Sequence, residues 1–235
     1  MKLHRPLFRG LWSVMVISFF FGCQSLPERM PAYLGSVSQA GASKASPEDL
    51  PTESSQVGLL VITDATTSGS APPLTEKMLT ILENRLVEKV HSQFPFSIRP
   101  VSLDKKLNPV GDIRPLLGLA QTNNIDFLMV AIFSSTEVES NSEIGEARMM
   151  TRMTAEELEN DALAELALLD GSSGHLVIRA NGVGGESMNI LAAPLGEDYP
   201  SGEEARNILR GNAAQKALDN AILELKREWS KVAGV

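Results

Sequence analysis

The run DFLMVAIF, Asp126 to Phe133, constrains the fold more than any other stretch beyond the amino-terminal leader. From Phe127 onward it has no polar position to turn toward water. So short an apolar run, bounded by Asn123-Asn124 and Ser134-Ser135, predicts a central strand covered on both faces. A second run of this kind, VGLLVIT from Val57 to Thr63, is equally short and β-branched. Buried strands of this kind need layers of other structure on either side.

The segments between these runs supply the layers. After the turn-rich TSGSAPP, a helix opens near Leu74-Thr75, with Met78, Leu82, Leu86 and Val90 at intervals of four on one face. It should stop by Pro95. Phe96 to Val101 reads as a strand near an edge, because Pro100 lacks a ladder donor. Arg114-Pro115 resembles a helix start, with Leu116, Leu119 and Ala120 as its buried face and Asn123-Asn124 at its end. The order strand, helix, strand, helix, strand gives an α/β domain: a mixed sheet with helices packed on it in three layers.

Residues 155–169 can be read two ways. Ala, Glu and Leu dominate them and favour a helix. Two apolar runs flank Asp170-Gly171-Ser172-Ser173-Gly174, however, and five turn residues between such runs argue for a hairpin. Strands are preferred for Asp161–Leu169. At the carboxyl end, Ala214, Leu218, Ala221 or Ile222, Leu225, Trp229 and Val232 repeat at intervals of three and four, predicting a long amphipathic helix held by tertiary burial.

The leader sets the compartment. Lys2, Arg5 and Arg9 precede an apolar stretch from Leu11 to Phe21, half the ~20 residues a membrane-spanning helix needs. This is the pattern of a secretory signal. It ends in Phe20-Phe21-Gly22-Cys23, and Cys23 is the single cysteine in the chain. An exported protein with one cysteine has no internal disulfide to make. A buried thiol is the plain alternative, but a position beside a cleavable signal offers no core. Gly22-Cys23 resembles the lipobox of bacterial lipoproteins, in which cleavage precedes an acylated cysteine; Phe20 and Phe21 stand where Leu and a small residue are usual. Gln24 in the next position resembles lipoproteins sent to the outer membrane.

These readings divide the chain into a leader (1–22), a flexible linker bearing the lipidated cysteine (23–56) and a periplasmic domain (57–235). The linker, rich in Ser, Pro, Ala and Gly, has no periodicity and is expected to be a slack spacer. Loss of Lys2, Arg5 and Arg9 takes the net charge from −8 to −11, so nucleic acid is excluded as a partner: phosphate binding needs clustered basic residues. Lys216, Lys226, Arg227 and Lys231 are interleaved with Asp219, Glu224 and Glu228, a solvated mixed face.

The stretches VGLLVIT, NNIDFLMVAIF, LALLDGSSGHLVIRA and NAAQKALDNAILELK, in this order after a lipobox and linker, resemble the family of small bacterial lipoproteins containing the curli secretion protein CsgG. LpoB, PelC and the amino-terminal domain of TolB share that fold. The resemblance implies a lipid-anchored α/β domain that acts through protein partners. CsgG inserts long alternating segments into a membrane; neither Ser134–Thr154 nor Gly182–Tyr199 alternates convincingly here, so a pore built by this chain alone is not expected.

No motif spells out catalysis. His4, His91 and His175 form no i, i+4 pair and there is no HExxH, so no metal or other cofactor is expected. Asp170, Ser172 and His175 are crowded into one turn, which a hairpin explains better than a triad. Gly182 to Ser187, GVGGES, lacks a phosphate-loop ending and is expected to be a flexible loop. Glu156, Glu157, Glu159 and Asp161 read as a solvated acidic face. Met149, Met150 and Met153 are core fill on the plain reading; if exposed, they form with Ile144 and Arg148 an adaptable contact patch. The expected function is non-enzymatic: an accessory module that binds another envelope protein, with a ring-forming component of an export apparatus as the rival.

Overall fold

A computed structural model describes residues 26–35, 45–103, 110–143, 154–191 and 202–234. Five strands form one mixed sheet: β1 (Val57–Thr63), β2 (Ile98–Pro100), β3 (Phe127–Glu143), β4 (Thr154–Asp170) and β5 (Leu176–Leu191). Their spatial order is β2-β1-β3-β4-β5. β1 runs parallel to both β2 and β3, and β3, β4 and β5 are antiparallel. The helices are α1 (Met30–Leu34), α2 (Glu76–Gln93), α3 (Arg114–Thr122) and α4 (Gly202–Ala233). None among the described residues is long and apolar enough to cross a membrane.

Each face of the sheet has its own core. On one, Leu59, Met129, Phe133, Leu166 and Ile178 meet Leu82, Leu86 and Val90 of α2 and the apolar stripe of α4. On the other, Leu60, Leu128, Val130, Ile132 and Leu169 meet Leu116 of α3 and Met30, Tyr33 and Leu34 of α1. Period-two alternation sorts neighbouring side chains to opposite layers, which is why an uninterrupted apolar run had to be central.

The predicted elements form where expected. Thr75 caps α2, its hydroxyl accepting the Met78 amide, and the chain leaves the helix at Phe94, before Pro95. β2 is an edge strand, as Pro100 requires. α3 begins at Arg114 with Pro115 in its first turn. Residues 161–169 lie within β4, so the hairpin reading prevails over helix propensity: pairing on both sides and burial on both faces outweigh a preference worth tenths of a kcal/mol per residue.

Two expectations are corrected. Gly182–Ser187 is not a loop but the middle of β5. Gly182 and Gly184 face α4 and leave no room for side chains: a Cβ on Gly182 would lie 2.2 Å from the Ala221 nitrogen, and one on Gly184 2.4 Å from the Ala213 oxygen and the Ala217 nitrogen. The helix backbone rests on the strand backbone. The linker is also not a structureless spacer throughout, because Met30, Tyr33 and Leu34 are buried and Pro47–Asp49 forms a capped 3-10 turn. Proline in the first turn of α1 and three apolar side chains on one short segment offset its ordering cost.

Residues Ser134–Glu143 and Gly182–Leu191, which lacked convincing alternation, extend β3 and β5 beyond the end of β1. α4 packs on this extension at Gly182 and Gly184 of β5 and reaches Glu137 of β3 through Arg206 and Arg210.

Candidate functional site

A dense polar constellation lies where residues 28–33 cross the outer face of β4 and β5. Glu165 interrupts the apolar run of β4 and is fully buried. Its Oε2 accepts the backbone N–H groups of Arg29 and Met30, the latter at 3.0 Å, and its Oε1 accepts Nη2 of Arg179 at 3.0 Å. Arg179 also bonds Glu28 at 2.6 Å, and the Asn181 amide approaches the same Glu28 carboxylate at 3.3 Å. Burial raises the Glu165 pKa above the ordinary range, although both amides and Arg179 act to lower it.

Asp64, at the end of β1, receives the other half of this segment. Arg29 Nε lies 2.9 Å from its Oδ2, while the Thr66 amide and hydroxyl donate to its Oδ1 at 2.8 and 2.7 Å. Burial pushes the Asp64 carboxyl up, but the Thr66, Arg29 and Tyr33 hydrogen bonds outweigh it and hold the pKa below its usual value. Tyr33 is pushed up to about 12 by burial and the adjacent Asp64 charge. A cavity of ≈ 10 Å³ beside Asp64, lined by Thr63, Ala71, Phe133 and Ala162 among others, is the size of about one water molecule. These groups form a clamp: two carboxylates, held by opposite charges and amides, fasten a strap of residues 26–35 to the sheet.

A second ionic cluster secures α4. Buried Arg210 donates from Nε to Glu137 at 2.7 Å, and Arg206 bonds the other Glu137 oxygen at 2.6 Å and pairs with Glu139. Beneath this helix, Asn160 of β4 is fully buried, with neither amide atom hydrogen-bonded to protein.

The crowded turn is spent on itself. Asp170 Oδ1 accepts the amides and hydroxyls of Ser172 and Ser173, at 2.6 to 3.1 Å. Despite burial, these bonds hold its pKa low. His175 donates its backbone N–H to Ser173 Oγ at 3.2 Å, and Gly174 closes the turn at φ +72. Glu157, Glu159 and Asp161 alternate along one face of β4. Among the described residues no group of three or more His, Cys, Asp or Glu is placed to hold a metal ion. The mixed-charge face of α4 is paired: Arg227 with Glu224, Lys231 with Glu228, and Asp219 with Arg85.

Cys23, Ile144, Arg148, Met149, Met150 and Met153 all lie outside the described residues. The last five fall in sequence between Glu143, where β3 ends, and Thr154, where β4 begins. The clamp escaped sequence reading, although it left two signals. A lone Glu in ALAELALL faces a buried layer in either secondary structure, and Met30-Pro31-Ala32-Tyr33-Leu34 is an apolar island in a polar segment.

No protein-family profile and no curated protein matches this chain. Solved structures do resemble it, among them bacterial lipoproteins. PelC from Paraburkholderia phytofirmans, a dodecamer, is 10% identical, with 75% of this chain and 94% of that one covered at a TM-score of 0.32. A minor lipoprotein from Acinetobacter baumannii is 9% identical, with coverage of 75% and 94% and a TM-score of 0.37. The LpoB carboxyl-terminal domain from Salmonella enterica is 13% identical, with coverage of 67% and 98% and a TM-score of 0.31.

Proposed function

We propose that this chain is a lipoprotein of the outer membrane, anchored through acylated Cys23, whose periplasmic domain serves another envelope protein as a non-enzymatic accessory. The observation that carries the reading is how the buried charges are used. Glu165, Asp64 and Arg210 each fasten one element of the fold to another, and the Asp170 carboxylate is consumed by its own turn. The cavity beside Asp64 is too small for a substrate. The basic leader, the short apolar core and Gly22-Cys23 support export and acylation.

The patch assigned to partner binding is Ile144, Arg148, Met149, Met150 and Met153. A photo-crosslinking residue in place of Met150 is expected to capture a defined envelope protein from intact cells, and one in place of Glu83 on α2 is not. Accumulation of uncut precursor under globomycin tests the anchor. Sedimentation of the purified protein as a discrete ring would replace the accessory reading with that of an export component. An activity abolished by Ser172→Ala or His175→Ala in a folded protein would replace it with an enzyme.

A further inference from the structure

We infer that the strap turns the lipid anchor into a short one, so that the domain works against the bilayer that holds it and meets a membrane-embedded or membrane-apposed partner there. This rests on acylation of Cys23. The strap is fixed from Glu28 onward: Glu28 to Arg179 and Asn181, the Arg29 and Met30 amides to Glu165, and the Arg29 guanidinium to Asp64 and Thr66. Met30, Tyr33 and Leu34 follow, at most 3% exposed. Cys23 precedes Glu28 by five residues, and a chain spans at most ~3.3–3.6 Å per residue, so the Cα atoms of the two lie within roughly 18 Å however the chain runs between them.

Had 23–56 been free throughout, the same bound would be about 110 Å, enough to carry the domain far from its membrane. The clamp removes most of that reach. A domain of this length has a radius of gyration of roughly 16 Å and is about 40 Å across. Its whole surface therefore lies within roughly 60 Å of the lipid. The partner must present its binding surface inside that layer.

The test uses the full-length lipidated protein in vesicles of phosphatidylethanolamine and phosphatidylglycerol. Val183→Cys carries a donor fluorophore, and headgroup-labelled lipid is the acceptor. Val183 is 57% exposed and two residues from Asn181, and Cys23, the only native cysteine, is blocked by its lipid. A companion protein carries ~20 Gly/Ser residues between Ser25 and Leu26, adding a mean reach of roughly 25 Å. Strong energy transfer is expected in the first protein and loss of most of it in the second. Equal transfer in the two proteins, both afloat with the vesicles, overturns the short anchor and leaves acylation standing. A protein that fails to float and carries no acyl mass overturns both.

Discussion

Gly184→Ala tests the seating of α4 on β5. The new Cβ would stand 2.4 Å from the Ala213 oxygen and the Ala217 nitrogen and 2.7 Å from the Lys216 Cβ, where ordinary contact begins near 3.4 Å. The shortfall is about 1 Å, and its first two partners are helix backbone that cannot swing aside. Overpacking of this kind costs about 1–3 kcal/mol, or more where nothing yields. Alanine returns roughly 0.5–1 kcal/mol through lower backbone entropy in the unfolded chain. A net loss of about 2 kcal/mol is expected, which in a domain of this size lowers Tm by about 4–8 °C. Urea unfolding followed by Trp229 fluorescence reads it directly, because that indole sits edge-on to Phe94 at 5.4 Å near the end of α4. Gly185→Ala is the control: its Cβ meets only the Asp161 carboxylate, at 2.8 Å, which can rotate away. A Gly184→Ala protein as stable as the parent, or a Gly185→Ala protein equally damaged, would refute the account.

Glu165→Ala leaves the Arg29 and Met30 amides without their acceptor and should cost about 1–3 kcal/mol. Trypsin should then cut first at Arg29, as gel analysis and mass spectrometry would show. In acid, Asp64 and Asp170 have lowered folded-state pKa values, so the stability they contribute above the ordinary value of about 3.9 is lost as pH falls through the folded values. Glu165 acts in the opposite sense: its raised folded-state pKa means that protonation favours the fold as pH drops toward the ordinary value of about 4.3. Glu165→Gln should therefore steepen the loss of Tm between neutral pH and 4; a profile parallel to the parent's would contradict the assignment. Asn160→Leu removes a buried amide with no protein partner and should raise the urea midpoint by the equivalent of about 1–2 kcal/mol, whereas a loss would mean that bound water satisfies it.

The parts of the fold legible in the sequence are those whose signal is local. Helix α2 announces itself through Thr75 and the spacing of Leu82, Leu86 and Val90, and β3 through a run too short and too apolar for an exposed element. GVGGES misled because Gly182 and Gly184 are glycines for the sake of a partner helix roughly thirty to forty residues downstream, and turn statistics know nothing of that partner. The strap was missed for the same reason. Arg29 and Glu165 are 136 positions apart, and neither residue alone distinguishes a clamp from a solvated charge. Ile144, Arg148, Met149, Met150 and Met153 carry only a compositional signal, methionines in a polar stretch, and composition alone does not separate a contact surface from core fill.

Lys216 Nζ lies 3.3 Å from the Gly185 carbonyl oxygen, and Asn220 Nδ2 lies 2.8 Å from that of Val183. β5 ends the sheet, and a terminal strand ordinarily invites another chain to lengthen it. Here two of its acceptors are already taken by the helix above. Growth of the sheet by an incoming strand is hindered along this stretch unless α4 first lets go, so a companion that meets this edge is steered toward recognition through side chains.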